Sequence, residues 1–150
     1  MRTLNNSFAE IEQEVTALMK LKLELSNEIE QLNHRREELL DAIFTDLLSV
    51  IDSFEKADKK AEDQYPDDES VLKSRKRFAT AKKKLLSVLE KYGVSEIVFP
   101  DGIATVKDVE IVGTEPDLSK SSDQIVSIEK KGYRRNGRLL RLAEVIVVKN

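Results

Sequence analysis

Few side chains in this sequence have the type and spacing to do chemistry. His34 is the only histidine and falls on a charge-rich helical stretch. A proton shuttle needs a partner held in a cleft, and a metal needs further ligands on the same face. Asp41 is about two turns away, and Glu37 and Glu38 sit among Arg35 and Arg36. An exposed helix residue is the expectation, with no metal site. The absence of Cys excludes a disulfide framework, a thiol nucleophile and a thiolate metal centre. Ser49, Ser53 and Ser87 have no base within helical reach. Gly93, Gly102, Gly113, Gly132 and Gly137 stand singly beside turns or strand ends, so no phosphate-cradling loop is formed. Asp67 and Asp68 read as turn and helix-start residues. The chain is expected to be no enzyme, to hold no cofactor and to bind no nucleotide itself.

Charge is the more informative signal. Between Lys131 and Arg141 lie five cations (Lys131, Arg134, Arg135, Arg138, Arg141) and Tyr133, arranged around Asn136-Gly137. That dipeptide tolerates positive φ at both positions and marks a tight hairpin. A rigid, basic turn tip suits an acidic protein surface; alternatively the cations only keep the sheet soluble and block edge pairing. A second basic set comprises Lys73, Arg75, Lys76, Arg77, Lys82, Lys83 and Lys84. Phosphate contact is one use for it. No aromatic platform accompanies it, however, and Asp41, Asp46, Asp52 and Glu55 are available to lie across from it, so a salt-bridged or solvated helix face is expected.

The element that must position these residues is an amphipathic stretch from Ser7 to about Ala57. Alternating steps of three and four from Phe8 reach Ile11, Val15, Leu18, Lys22, Leu25, Ile29, Leu32, Arg36, Leu39 and Ile43, with no Gly or Pro between. This is the seam of a left-handed coiled coil, with Ile11, Val15, Leu18, Leu25, Ile29, Leu32, Leu39 and Ile43 as its apolar contacts. β-branched residues at one seam position, Leu at the other, and Lys22 and Arg36 able to snorkel out favour a parallel homodimer. The flanking positions form no ladder of opposite charges, so antiparallel or heteromeric pairing stays open.

Ser7 and Glu10 fit a capping box at the start of this helix. Pro66, within Asp63–Glu69, turns the chain. A second helix is expected from about Asp68 to Tyr92, with Val71, Arg75, Phe78, Lys82, Leu85, Leu89 and Tyr92 on one face and Gly93 just past its end. Two copies would assemble a four-helix bundle. After Gly93 the period drops toward two. Strands are expected at Ser95–Phe99, Ile103–Val106, Val109–Val112, Ile125–Lys130 and Glu144–Val148, the last apolar on both faces and therefore central or covered. The fold class is α+β: a coiled-coil stem (1–43), a helical hairpin in a dimeric bundle (44–93) and a small antiparallel β wing (94–150).

Charged residues make up 35% of the chain and aromatics 5%, with no Trp. That balance argues for much solvated helix and a small core that a dimer interface would enlarge. A net charge of -3 gives no global pull toward nucleic acid or an anionic membrane, and neither is expected as a partner. No apolar run resembles a signal peptide or a membrane span, so a cytoplasmic location is expected.

Three stretches resemble the GrpE family, the nucleotide exchange factors of DnaK-type chaperones. They are Asp46-Leu47-Leu48-Ser49-Val50-Ile51-Asp52-Ser53-Phe54-Glu55-Lys56-Ala57, Leu85-Leu86-Ser87-Val88-Leu89-Glu90-Lys91-Tyr92-Gly93-Val94, and Lys131-Gly132-Tyr133 with Asn136-Gly137-Arg138-Leu139-Leu140-Arg141 and the Val145–Val148 strand. The resemblance implies a homodimeric co-chaperone that contacts the nucleotide-binding domain of a DnaK-type chaperone and promotes ADP release. It implies partner contact through Arg138, with Lys131, Gly132, Tyr133, Asn136 and Gly137 shaping the hairpin and Val148 beside it. Where the family carries a Phe-Asp-Pro-x-x-His-x-Ala type motif, this chain has Phe99-Pro100-Asp101-Gly102 and Thr105-Val106-Lys107-Asp108-Val109, without the His. The alternative is accordingly a dimeric scaffold of the same fold without exchange activity.

Overall fold

A computed structural model describes residues 2–150. Its order is α1 (Arg2–Gln64), α2 (Glu69–Lys91), β1 (Val94–Glu96), β2 (Val109–Glu115), β3 (Ile125–Lys130), β4 (Tyr133–Arg135), β5 (Arg138–Arg141) and β6 (Ala143–Val148). The α+β class and the sequence of long helix, second helix and small sheets are as expected. The chain divides into two units, one ending at Leu40 and one comprising Asp41–Asn150.

The first unit is helix alone. It begins at Arg2 rather than at Ser7, because no Pro or Gly precedes Ser7 to stop it. The Ser7 hydroxyl donates to the Thr3 carbonyl at 3.0 Å, one turn back, so the residue is inside the helix and caps nothing. Ile11, Val15, Leu18, Leu25, Ile29, Leu32 and Leu39 all expose between 43% and 64% of their surface in the single chain. An apolar stripe so bare needs cover.

In the second unit α1 continues to Gln64, past the expected end near Ala57, because Lys, Glu and Ala in this stretch favour helix and only Pro66 interrupts it. Asp68 caps α2: its carboxylate accepts from the amides of Ser70 at 2.8 Å and Val71 at 3.1 Å. Gly93 follows the helix with φ +80°, as the sequence required. The two helices are tied by Phe54 against Phe78, with centroids 6.2 Å apart, and by ion pairs Arg75–Asp58 (2.7 Å), Arg75–Glu62 (3.2 Å) and Lys82–Glu55 (3.4 Å). Phe44, Leu48, Ile51 and Leu89 are buried.

The β region forms two three-stranded sheets, β1-β4-β5 and β2-β6-β3. β6 is central in the second, as its two apolar faces predicted, and Val109, Ala143, Val145 and Val147 make its core with Phe99, Ala104 and Ile125. The sheets are antiparallel except for β2 and β6, which run parallel from Val109↔Ala143 to Glu115↔Val148. Alternation of side chains cannot distinguish strand direction. The expected strand at Ile103–Val106 reduces to one bridge, Ile103↔Gln124, and Ser95–Phe99 to the three residues of β1. In exchange, the residues flanking Asn136-Gly137 form β4 and β5.

Candidate functional site

The basic hairpin is built from its turn outward. Asn136 has φ +49° and Gly137 φ +80°, the doubly positive geometry that joins two antiparallel strands with two residues. Its tip is anchored. The Asn136 amide donates to the Gly93 carbonyl at 3.0 Å, and β4 pairs with β1 through Val94↔Arg135, Ser95↔Arg134 and Glu96↔Tyr133. At its base Gly132 accepts from the Ile97 amide at 2.9 Å. A Cβ there would stand 2.5 Å from the Ala143 backbone nitrogen, so only glycine lets the two backbones come this close.

All five cations of the hairpin have acidic partners within the same unit. Lys131 lies between Glu96 at 3.2 Å and Glu55 at 3.6 Å. Arg134 pairs with Asp108 and donates to the Gly137 carbonyl at 3.1 Å. Arg135 meets Asp41 at 2.7 Å with its guanidinium over the Phe44 ring, 5.3 Å from the centroid. Arg138 reaches the other oxygen of Asp41 at 2.9 Å. Arg141 grips Asp52 with two hydrogen bonds of 2.6 Å, donates Nε to the Lys131 carbonyl at 2.9 Å, and lies 5.4 Å from the Tyr133 ring centroid.

The acids on α1 were expected to face α2. Glu55 does so through Lys82, but Asp41 and Asp52 turn to the arginines of the hairpin, and Arg75 is taken by Asp58 and Glu62. The reason is register. Positions 41, 52 and 55 differ by steps of eleven and three, which return to one side of a 3.6-residue helix, the side that also carries the buried Phe44, Leu48 and Ile51. That spacing is a signal the sequence did contain. Lys73, Lys76, Arg77, Lys83 and Lys84 are exposed.

Burial and charge tune two groups here. Burial lowers the Lys131 ammonium, but hydrogen bonding to Glu96 and the charges of Glu96 and Glu55 outweigh it, and its pKa is raised. The Tyr133 phenol is pushed up, first by burial and then by Glu96 and Glu55. Its hydroxyl is buried with no hydrogen-bond partner among the described residues.

Of the residues implicated from sequence, Asn136, Gly137 and Arg138 are exposed at the turn, Arg138 at 49% of its side-chain surface. Lys131 is partly exposed, while Gly132, Tyr133 and Val148 are buried, the last two at 2% and 1%. The exposed part of the hairpin is therefore its turn and Arg138, while Tyr133 on β4 and Val148 on β6 of the other sheet are buried. Ile43 of the seam belongs to the second unit and is 44% exposed. His34 is exposed and pairs with Glu38 at 3.2 Å. Among the described residues, no group of three His, Cys, Asp or Glu is placed to hold a metal, and no helix is long and apolar enough to cross a membrane.

A family model described as GrpE matches residues 1–149. Curated relatives named Protein GrpE align along nearly the whole chain. One from Shewanella sp. (strain MR-4) is 27% identical, covering 96% of this chain and 71% of the relative. One from Halorhodospira halophila is 30% identical, covering 97% of this chain and 63% of the relative. One from Pseudomonas syringae pv. tomato is 26% identical, covering 93% and 77%.

Proposed function

This chain belongs to the GrpE family, and from that premise we propose that it is a homodimeric, cytoplasmic co-chaperone that binds the nucleotide-binding domain of a DnaK-type chaperone and speeds ADP release. The observation that supports this best is the hairpin, a doubly paired turn with Arg138 half-exposed at its edge, carried in a chain that matches the family over residues 1–149.

The chemistry asks for no catalytic residue. Exchange follows if the co-chaperone binds the open nucleotide cleft more tightly than the closed one, and a preference of about 1–3 kcal/mol shifts affinity about 5–150-fold. Reciprocity then requires ADP to weaken the complex by the same factor. Arg138 supplies a cation for an acidic surface of the partner, and the β1-β4-β5 sheet gives it a stiff mount.

Dimerisation is supported by two bare apolar surfaces, each within its own unit. One is the seam from Ile11 to Leu39. The other is an open groove of about 440 Å³ between α1 and α2, lined by Val50, Phe54, Ala57, Ala61, Val71 and Phe78. The α1–α2 pairs of two copies closing this second surface would make a four-helix bundle.

Stopped-flow release of a labelled ADP from a DnaK-type chaperone of the same cell tests the reading. Acceleration that saturates with added dimer supports it. Stable binding with unchanged release would instead identify a scaffold that kept the fold and lost exchange.

A further inference from the structure

We infer that Asp52 and Arg141 are positioning residues that lock the basic hairpin to the distal part of α1, and that this lock fixes the orientation in which the hairpin meets its partner. The inference rests on the exchange reading and adds to it one pair on which hairpin orientation depends.

The geometry is unusually complete. All three kinds of guanidinium nitrogen on Arg141 are engaged: Nη1 and Nη2 donate to the two oxygens of Asp52 at 2.6 Å each, and Nε donates to the Lys131 carbonyl at 2.9 Å. One side chain thus clamps three segments 10 and 89 residues apart in sequence: its own strand β5, the short connection between β3 and β4, and α1. Both side chains are largely removed from water, at 13% and 14% exposure, so neither salt nor a competing water replaces the contact easily. The Tyr133 ring lies 5.4 Å from the guanidinium and restricts where it can go.

Arg135 ties the hairpin to α1 a second time, through Asp41 at 2.7 Å, whereas Lys131 and Arg138 cannot supply the same stiffness. Lys131 reaches Glu55 at 3.6 Å through a single flexible ammonium, and Arg138 is half-exposed. The Arg141 fork fixes a direction as well as a distance. A hairpin that pivots would still touch its partner, but it would bind open and closed clefts alike and shift nothing between them.

Two variants separate charge from geometry. Arg141→Lys keeps the cation and loses the fork; Asp52→Asn keeps the shape and loses the anion. In each, the maximal rate of ADP release at saturating co-chaperone should fall at least about tenfold, while the half-saturating concentration stays within about twofold. Spin labels on exposed Ser49 in α1 and exposed Leu139 in β5 should report a narrow distance distribution in the parent chain and a broadened one in both variants.

Variants with the parent distance distribution and the parent maximal rate would overturn the inference. So would an effect confined to the half-saturating concentration, which would make the pair a contact surface. If the parent chain itself fails to accelerate release, the exchange reading falls. The distance distributions then decide alone whether the pair holds the hairpin in place.

Discussion

Arg138 and Arg135 share one carboxylate: Asp41 gives Oδ1 to Arg135 at 2.7 Å and Oδ2 to Arg138 at 2.9 Å. The two arginines differ in what surrounds them, the first at 7% side-chain exposure and the second at 49%. Arg135 is therefore the structural half of this bridge and Arg138 the half that a partner can reach. An incoming acidic group would share Arg138 with Asp41. Replacing Arg138 by Ala should weaken chaperone binding by about tenfold, with helix content and thermal stability unchanged, since Asp41 keeps Arg135. Calorimetric titration against the nucleotide-binding domain measures it. Equal affinity for parent and variant would remove Arg138 from the contact.

The seam makes a separate prediction. Leu18→Ala and Leu25→Ala remove large side chains one heptad apart that are 64% and 49% exposed in the single chain. If a second copy covers them, each substitution should cost about 2–4 kcal/mol of dimer stability, and the double variant should sediment as single chains at micromolar concentration. The strands, which lie in the other unit, should keep their near-native amide protection. Unchanged sedimentation would show that this stripe is not the dimer contact.

Tyr133 gives a prediction of opposite sign. Its hydroxyl is buried without a hydrogen-bond partner among the described residues, so Tyr133→Phe should stabilise the fold by about 1 kcal/mol. The pH dependence follows from its raised pKa. The folded chain holds the phenolic proton more tightly than the unfolded one, so the parent should lose stability as pH rises past the ordinary value of 10.0. The Phe variant should lack that share of the loss. Denaturant midpoints at pH 8 and above about 10.5 test both statements.

Acid should loosen the helix pair. The hydrogen bond from Arg75 is the main reason the Asp58 carboxyl lies below its ordinary 3.8, with burial opposing. A depressed folded-state pKa means stability that is complete above the ordinary value and lost as pH falls through the folded one. The difference in Tm between the parent and Asp58→Asn should therefore be constant from about pH 7 to 5 and shrink below about 4. A constant difference down to pH 2 would contradict it.

Much of this architecture could be read from residue pattern. The long helix with its apolar stripe, the Asp68 start of α2, Gly93 at its end, the Asn136-Gly137 turn and the central place of Val145–Val148 each follow from local chemistry: periodicity, a capping carboxylate, positive φ, two apolar faces. The start of α1 did not follow, since Ser7 has cap chemistry but sits where nothing prevents helix on its N-terminal side. The parallel β2–β6 ladder was equally hidden, because alternation is blind to direction. Most consequential was the pairing of Asp41 and Asp52. Their place on the Phe44–Leu48–Ile51 side of α1 was countable, yet two nearby basic segments competed for them, and only tertiary structure decides which wins.

The placement of β6 has an outcome in time as well as in space. It follows both of its neighbours in the chain and yet lies between them, with β2 on one side and β3 on the other. Both helices can form while the chain is still growing. β2 and β3 must wait, each with an open edge, until residue 148 has emerged, and a chain interrupted a few residues early would hold two flanks with nothing to join them.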